Sequence, residues 1–323
     1  MTSTPTGTAK RGARLGEVRS ARRALRLGTR RSQLALVQSG WVADQVAALS
    51  GQPVDLVEII TEGDVSTAPI AAMGTTGVFV TALRESLLRG EVDLVVHSFK
   101  DLPAAPVPGL CLAAVPVRQD PRDALVDRKG RRLLDLPAGA LIGTGSARRA
   151  VELRRLGLPV TVVAMRGNVD TRLRKVGAGA VDAVILAAAG LIRLGLRHVV
   201  TEMIDPALIL PAPAQGALAV ECRTDDHDLR AALAGLDDPA GRITAEAERS
   251  YLAGLNAGCT APVGACARVV DQTTITLDVL AADQAGDAVR RSGQAPFADG
   301  VRLGGDLARA MLAGRVTGTG EPE

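Results

Sequence analysis

The chain has 323 residues and a formal net charge of +3 at pH 7, with 47% hydrophobic and 2% aromatic residues. This length is too great for one ordinary hydrophobic core and predicts two or three domains. The small net charge and the scarcity of aromatic side chains give no support to nucleic-acid binding, and no apolar run approaches the ~20 residues of a membrane span.

The cysteines, histidines and lysines bear on metal binding, on the cellular compartment and on which basic residues are informative. Four cysteines, Cys111, Cys222, Cys259 and Cys266, show no CxxC or other metal spacing, and three scattered histidines do not suggest a zinc site. We therefore expect no metal, and a reducing cytosol suits a chain without a disulfide framework. Lysine occurs only at positions 10, 100, 129 and 175, so Lys100 is more informative than any one arginine.

Residues 1–25 are basic and rich in small residues, and they lack the apolar core of a secretory signal. We expect a disordered arm or an upstream start codon here, with an Arg-rich transit peptide as the alternative. Order begins near Arg26–Ser32, where Ser32 is a suitable N-cap for a helix over Gln33–Leu49. Arg30 before that helix predicts an anion site, because free N–H groups and a guanidinium converge there.

The central stretch Glu91–Pro103 places chemistry at the end of a strand. Leu94–Val96 is apolar on both faces, which predicts a buried strand of a parallel sheet. Ser98, Lys100 and Asp101 follow at once, and ligands of open α/β sheets bind beyond the carboxyl ends of strands. These residues predict a binding site at that edge, although a solvated loop after a strand explains them equally well.

Polar and basic residues also end two later predicted strands, Ala140–Gly143 and Val160–Met165. They are Thr144, Ser146, Arg148, Arg149, Arg166 and Arg172. The GTGSARR pattern differs from a dinucleotide loop, because an arginine stands where the third glycine is needed, and it suits a carboxylate or a phosphate instead.

Apolar spacing predicts the remaining elements: strands Val54–Ile60, Cys111–Val117, Val181–Ala187, Ala217–Glu221 and Thr273–Leu280, and helices Val78–Arg89, Ile243–Leu255 and Asp306–Leu312. Within the helices, we expect Trp41 and Phe79 on core faces.

These patterns predict two α/β domains facing a cleft and a small α+β third domain. We expect residues 26–116 and 217–234 in the first domain, residues 122–210 in the second and residues 238–323 in the third. The third domain includes a Gly/Pro-rich loop with Cys259, whose thiol is either available for chemistry or idle.

The polar residues that follow the predicted strands include one acid, Asp101, and many cations. Guanidinium groups bind carboxylates in a bidentate manner, so the sequence predicts a ligand with several carboxylates. Asp101 facing such a ligand could transfer a proton or stabilise a cation. A serine triad from Ser98 or Ser146 with His97 lacks the nucleophile-elbow pattern, and no GK[ST] phosphate loop is present.

A series of longer motifs runs in order along the chain: RLGTRRSQLAL, TEGDV, GVFVTAL, VHSFKDLP, DPRDAL, IGTGSARR, MRGNVDTRL, ILAAAGLIRLGL, PAQGALAVECR and AGCTAPVGACA. Through them, from about Leu25 to the third domain, the chain resembles the hydroxymethylbilane synthase family, also called the porphobilinogen deaminases. The resemblance implies two periplasmic-binding-protein-like α/β domains around a cleft plus a small α+β C-terminal domain. It also implies a transferase of tetrapyrrole and heme biosynthesis, which joins four porphobilinogens head to tail into linear hydroxymethylbilane with release of ammonia.

The resemblance also assigns roles to residues. Cys259 matches the cysteine whose sulfur holds a covalent dipyrromethane cofactor. Asp101 matches the catalytic aspartate, which can hydrogen-bond pyrrole N–H groups and stabilise positive charge. The residues that match cofactor contacts are Arg30, Ser32, Ser98, Lys100, Thr144, Ser146, Arg148, Arg149, Arg166, Arg172 and Gln215. The residues that match substrate contacts are Arg30, Phe79, Arg149, Arg166, Arg172 and Arg193.

Five positions depart from the family pattern. They are Glu62, Ala72, Thr76, Gly145 and Asp170. Together they remove positive charge from, or add negative charge near, a site for a polycarboxylate chain. We therefore hypothesise weaker binding of the elongating product or altered lid behaviour. An ordinary porphobilinogen affinity in steady-state assays would refute the first of these two effects.

Two alternatives remain open on the sequence alone. A catalytically impaired paralogue is supported only by Ala72 and Thr76, which stand where the family usually has lysines, and a two-domain polycarboxylate-binding protein would also have an arginine-lined cleft. The binder has no need of Cys259. We expect a cytoplasmic monomer whose partner is the small-molecule substrate, with neither nucleic acid nor membrane as a partner.

Overall fold

The computed structural model describes residues 23–60, 78–258, 260–282 and 287–316. Residues 1–22 of the expected basic arm lie outside this part of the chain, and Leu25 already belongs to the first strand. Among the described residues, no helix combines the length and the apolar character that crossing a membrane requires.

The described strands and helices alternate through most of the chain. The strands are β1 (Leu25–Thr29), β2 (Val54–Glu58), β3 (Leu94–Ser98), β4 (Leu110–Ala114), β5 (Asp123–Asp127), β6 (Leu141–Thr144), β7 (Thr161–Ala164), β8 (Ala183–Ala187), β9 (Glu202–Met203), β10 (Leu218–Arg223), β11 (Val263–Val269), β12 (Thr274–Ala282) and β13 (Ala288–Pro296). The helices are α1 (Gln33–Ser50), α2 (Val78–Leu88), α3 (Ala147–Arg155), α4 (Val169–Gly177), α5 (Ala188–Arg193), α6 (His227–Leu233), α7 (Pro239–Gly254) and α8 (Gly300–Val316).

The first sheet is mixed rather than parallel. Its strand order is β2-β1-β3-β10-β4. Strand β1 is parallel to β2 and β3, whereas β10 is antiparallel to both β3 and β4. The prediction that Leu94–Val96 is a buried strand of a parallel sheet holds for its burial and its pairing with β1, but it is wrong for its pairing with β10. Apolar residues on both faces indicate burial on both faces but not the direction of each neighbouring strand.

The second sheet repeats this arrangement. Its order is β7-β6-β8-β5-β9, with β6 parallel to β7 and β8 and with β5 antiparallel to β8 and β9. In each sheet, the antiparallel strand β10 or β5 follows a segment in which the chain crosses from one sheet to the other. Strand β5 follows the crossing over residues 115–122, and β10 follows the return over residues 204–217.

The two crossing segments lie against each other. The Gln119 amide donates to the Gly216 carbonyl at 3.2 Å, and Arg118 Nε donates to the Gln215 carbonyl at 3.0 Å. Gly216 has φ = +90°, and a Cβ there would lie 2.2 Å from the Gln119 carbonyl oxygen. Only glycine fits this close approach without strain.

The third sheet is an antiparallel meander, β11-β12-β13, covered by α7 and α8. Residues Ile275, Leu277 and Val279 of β12 alternate into its core beside Tyr251 of α7. The fold is thus α/β with two similar domains and a small α+β third domain, which confirms the predicted fold class. The exact domain bounds stay a prediction.

Helix α1 shows both a confirmed and a wrong prediction. Ser32 caps it as predicted, with Oγ accepting from the Ala35 amide at 3.3 Å. The helix buries Gln38, Val42 and Val46, which lie four residues apart on one stripe. Trp41 lies beside that stripe and remains 43% exposed, so its predicted place in the core is wrong.

Several elements were absent from the prediction or too short in it. Strands β5, β11 and β13 and helix α6 were not predicted, and α8 begins six residues before the predicted Asp306. The first turns of α8 contain three glycines, Gly300, Gly304 and Gly305. In the fold they allow close helix packing, because a Cβ at Gly304 would lie 2.1 Å from the Ala247 carbonyl oxygen on α7.

Candidate active site

A short 3₁₀ turn, Phe99–Asp101, follows β3 and carries two of the predicted site residues. Asp101 is exposed, and the half-buried Lys100 places Nζ 3.2 Å from Gln215 Oε1 on the return segment. Ser98, at the end of β3, pairs with the side-chain amide of Gln38 on α1 at 3.2 Å. The turn is therefore tied on two sides by side chains distant in sequence.

Arg249 of α7 holds this turn from a third side. Its guanidinium donates to the carbonyls of Phe99 at 3.1 Å, Leu102 at 2.7 Å and Pro103 at 2.7 Å. The guanidinium carbon also lies 4.5 Å from the centroid of the Phe99 ring, a cation–π geometry. The helix that ends just before the Cys259 loop thus fixes the backbone that presents Asp101.

Asp123, at the start of β5, organises the second cluster of charges. Arg149 donates to it through Nη2 at 2.7 Å and through Nε at 3.1 Å, and Arg148 Nη2 donates at 2.9 Å. All three residues are buried. Burial opposes ionisation of Asp123, but the charges of Arg148 and Arg149 outweigh it and hold the pKa of that carboxyl far below its ordinary value.

Gln215 joins the two clusters. Its Nε2 donates to Asp123 Oδ1 and to the Pro121 carbonyl, both at 2.8 Å, while its Oε1 accepts from Lys100. Burial lowers the pKa of Lys100, the charge of Asp101 acts in the opposite direction, and the charge of Arg149 lowers it further. These couplings show that residues from both sheets share one electrostatic site.

The turn after β6 is built from its own hydroxyl groups. Thr144 Oγ1 accepts from the Ser146 amide at 3.2 Å, and Ser146 caps α3 by accepting from the Arg149 amide at 3.5 Å. Gly145 between them has no room for a side chain, since a Cβ would lie 2.6 Å from the Met165 carbonyl oxygen. This departure from the family pattern brings the β6 and β7 turns close together.

The remaining predicted cations lie on several different elements. Arg166 is exposed, and Arg172 Nε donates to the Gly167 carbonyl at 2.9 Å. Burial, with the charge of Arg149, lowers the pKa of Arg172. Arg193 donates to the Gly216 carbonyl at 2.7 Å, and burial lowers its pKa to about 10. Arg30 is half-buried between β1 and α1.

The structure brings Lys100, Arg148, Arg149 and Gln215 into direct contact with one another or with Asp123. Cys259 and the departures Glu62, Ala72 and Thr76 lie outside the described residues. Phe79 belongs to α2, but its side chain is also outside them. The predicted roles of these residues stay predictions.

Sequence reasoning missed three residues of this arrangement: Asp123, Gln38 and Arg249. Asp123 stands in the quoted DPRDAL motif, and an acidic residue opening a strand that is buried along its whole length needs a cationic partner. That signal could have been found. Gln38 and Arg249 lie within amphipathic helices, where nothing local distinguishes them from surface residues.

Family models provide the deciding comparison. One described as "Porphobilinogen deaminase, dipyromethane cofactor binding domain" matches residues 25–231, and one described as "Porphobilinogen deaminase, C-terminal domain" matches residues 242–313. The chain belongs to the porphobilinogen deaminase family. This confirms the resemblance found in the sequence.

Individual porphobilinogen deaminases agree with this assignment. The chain is 52% identical over 304 residues to porphobilinogen deaminase 1 of Streptomyces coelicolor, covering 90% of this chain and 95% of that protein. It is 55% identical over 247 residues to the porphobilinogen deaminase of Mycobacterium tuberculosis, covering 76% and 79% of the two chains. Among solved structures, a TRAP periplasmic solute binding protein from Desulfovibrio salexigens matches with a TM-score of 0.39 and 12% identity, over 66% of this chain and 72% of that one.

The charges of the site fit the cofactor of the porphobilinogen deaminase family. A dipyrromethane carries acetate and propionate groups, and it therefore needs several cations at one place. The charge of Arg149 lowers the pKa values of Lys100, Arg148 and Arg172, while the acids that raise those of Lys100 or Arg148 are Asp101, Asp123 and Glu152. The exposed Arg166 adds a further cation nearby in the chain.

Proposed function

We propose that the chain joins four porphobilinogen molecules head to tail into linear hydroxymethylbilane, releasing ammonia, with the residue roles given below. Membership of the porphobilinogen deaminase family makes the chain a transferase of tetrapyrrole biosynthesis with a dipyrromethane cofactor. The observation that supports the mechanism is the exposed carboxylate of Asp101, placed on a fixed turn beside a coupled set of cations.

The cofactor would be held by Cys259 through its sulfur and by cations of both sheets through its carboxylates. When bound, it supplies the pyrrole carbon to which the first substrate is joined. Lys100 and Arg172 suit this role, because their charged ends are not neutralised by a direct carboxylate hydrogen bond in the described part of the chain. Arg148 and Arg149 share Asp123, so they contribute less net charge and more orientation.

Asp101 is the proposed catalytic residue. Its carboxylate would accept a hydrogen bond from the pyrrole N–H of porphobilinogen and stabilise the positive charge that develops as ammonia leaves. The same carboxylate can then take up the proton that the new carbon–carbon bond displaces from the ring. The neighbouring Lys100 places a positive charge beside this carboxylate, and the charge of Asp101 in turn opposes the lowering of the Lys100 pKa by burial.

The test compares Asp101→Asn with Cys259→Ser in the purified protein. We expect the unchanged protein to carry the extra mass of two linked pyrroles and to convert porphobilinogen. Asp101→Asn should keep that mass and lose at least ~100-fold in kcat, since one positioned acid–base group contributes roughly 10²–10⁴-fold. Cys259→Ser should lose both the mass and the activity.

An Asp101→Asn variant with ordinary kcat would refute the catalytic role while leaving the family activity intact. An unmodified mass that persists after incubation with porphobilinogen would favour the impaired paralogue or the polycarboxylate binder.

We further propose a cytoplasmic monomer. Three cysteines, Cys111, Cys222 and Cys266, are free thiols in the described part of the chain, as a reducing compartment allows. Sedimentation at micromolar concentration should give a mass of 33.3 kDa plus the cofactor, and a dimer would contradict this proposal.

A further inference from the structure

Two cysteines face each other on neighbouring strands of the first sheet. Their contacts in the described part of the chain do not include residues of the charged site. Cys111 of β4 and Cys222 of β10 are direct partners in the antiparallel ladder, and their sulfur atoms lie 3.8 Å apart. Opposite residues in such a ladder have Cα atoms ~4.5–5.5 Å apart, and a disulfide requires ~4.4–6.8 Å. Side-chain rotation alone can therefore bring the sulfurs to bonding distance.

The two thiols differ in access to solvent. Cys222 is completely buried, and burial together with Cys111 raises its pKa to about 12. Cys111 is half-buried and lines a groove of about 450 Å³, whose other polar residues are His227 and Arg230 of α6. Cys111 is thus the thiol that a solute reaches first, and the imidazole and guanidinium groups beside it suit a small anionic solute.

We propose that Cys111 and Cys222 form a redox-active dithiol, which low-molecular-weight disulfides entering this groove convert to an intramolecular disulfide. The reaction needs two exchanges with an oxidant such as glutathione disulfide. The Cys111 thiolate attacks one glutathione sulfur, breaks that disulfide and releases one glutathione. The Cys222 thiolate then attacks Cys111, forms the protein disulfide and releases the second glutathione.

The electrons and protons of this reaction balance. The protein loses two electrons and two protons, and glutathione disulfide gains both as two thiols. The step that limits the rate is the second exchange, because the buried Cys222 thiol must lose its proton before it attacks. The proposal does not depend on the catalytic roles assigned above, since neither cysteine belongs to the Asp123 or Asp101 clusters.

A disulfide between Cys111 and Cys222 would close a long loop of the chain. Strand β4 precedes the crossing to the second sheet, and β10 follows the return. The bond would therefore close a loop that contains the whole second sheet. Loops of this length lose much conformational freedom in the unfolded chain, so the oxidised protein should unfold several degrees higher.

The test uses the full chain with its cofactor. It is incubated with glutathione disulfide, alkylated, digested and mapped by mass spectrometry. We expect a cross-linked peptide pair with Cys111 and Cys222, which dithiothreitol reverses, and a higher Tm of the oxidised sample. Cys222→Ser should instead retain one glutathione on Cys111 and show no rise in Tm, and Cys266→Ser should behave as the unchanged chain does.

Three results would overturn the proposal. One is a wild-type protein that accumulates glutathione on Cys111 without forming the cross-link. Another is a chain in which both thiols remain alkylatable after prolonged exposure to glutathione disulfide. The third is a cross-link that leads to Cys266 instead of Cys222. Each result would show that the pair is only a packing contact within the core of the first sheet.

Discussion

At the scale of single residues, Asp123 shows how the fold tolerates a buried charge beside the active site. The carboxylate is 0% exposed and accepts from Arg148, Arg149 and Gln215. Burying any of these charges alone would be costly, so the group is stable only as a complete set. The same set fixes the two guanidinium groups at the start of α3.

We predict that Asp123→Asn lowers stability by ~3–5 kcal/mol, because two buried arginines lose their carboxylate. It should also raise the KM for porphobilinogen, since Arg149 and Lys100 lose their fixed surroundings. Chemical denaturation and steady-state kinetics measure the two effects. Asp127→Asn is the matched control, because Asp127 is also buried on β5 and pairs with Arg131, but at the other end of the strand. It should lose stability with KM unchanged; equal changes in KM would contradict the role of Asp123.

Glu221 of β10 gives a second residue-scale prediction. Burial opposes its ionisation, but the hydrogen bonds from Arg84 and the His97 imidazole, whose Nε2 lies 3.2 Å from Glu221 Oε2, outweigh it and lower the pKa of Glu221 to about 2. Because this folded-state pKa lies below that of the unfolded chain, the stabilisation is present above pH 4.5 and is lost as the pH falls towards 2. Its size is on the order of 3 kcal/mol.

Glu221→Gln should therefore lower the free energy of unfolding at pH 7 and flatten its fall between pH 4.5 and 2. Urea unfolding at a series of pH values measures both. Glu91→Gln serves as the control, because Glu91 has a similarly lowered pKa but is exposed, and solvent screens its pair with Arg89. If the free energy of unfolding of Glu221→Gln fell between pH 4.5 and 2 as steeply as that of the parent, the pKa assigned to Glu221 would be refuted.

At the scale of elements, α7 connects the turn that carries Asp101 with the segment that leads to Cys259. Arg249 lies in the last part of this helix and donates to three carbonyls on either side of Asp101, those of Phe99, Leu102 and Pro103. A guanidinium can serve three acceptors in a fixed fork, whereas an ammonium is a single flexible point of charge. The third domain thereby positions a residue of the first.

We predict that Arg249→Met lowers kcat between ~10- and ~100-fold with a smaller change in KM, since small displacements of a catalytic group cost this much. Arg249→Lys should recover only part of the loss. Arg242→Met is the control, because Arg242 lies on the same helix but pairs with Asp237 and Glu246. Should Arg249→Met change only Tm and leave kcat intact, its role would be structural rather than positional.

The sequence predicted the positions of helices and strands well, but it predicted the contacts between distant residues poorly. The apolar spacing located α1, α2 and most strands within a few residues, because burial of one face leaves a periodic record. It missed β13, which is an edge strand with the polar sequence AVRRSGQAP. It also could not foresee that Lys100 meets Gln215, since that contact joins residues 115 positions apart. The motifs identified the family and included Asp123, but the identity of its partners Arg148, Arg149 and Gln215 required coordinates.

At the scale of the whole molecule, Glu248 of α7 holds the three domains together. Its carboxylate accepts from Arg118 on the crossing at 2.9 and 2.8 Å, from the Ala214 amide on the return at 2.6 Å and from the Ala267 amide on β11 at 2.7 Å. The group is completely buried. Three segments of the chain, the crossing, the return and β11, are therefore bound to α7 through one side chain.

Glu248→Gln should destabilise the protein by ~3–5 kcal/mol, because the buried Arg118 is left without its counter-ion. We also expect calorimetric unfolding to separate into two transitions, as the third domain loses its tie to both crossings. Glu246→Gln, on the same helix but partly exposed, should stay within ~0.5 kcal/mol of the parent. A single sharp transition in Glu248→Gln would show that other contacts couple the domains.

The late arrival of β10 has a consequence for synthesis on the ribosome. This strand lies between β3 and β4, yet more than 100 residues separate it from β4 along the chain. At ~5–20 residues per second, β3 and β4 wait roughly 5–20 s for the strand that joins them. The second sheet is encoded without interruption between residues 123 and 203, so it can assemble during that interval. The nascent first domain thus emerges with an open gap at its centre, and chaperones that recognise unpaired apolar strands would bind it at this stage.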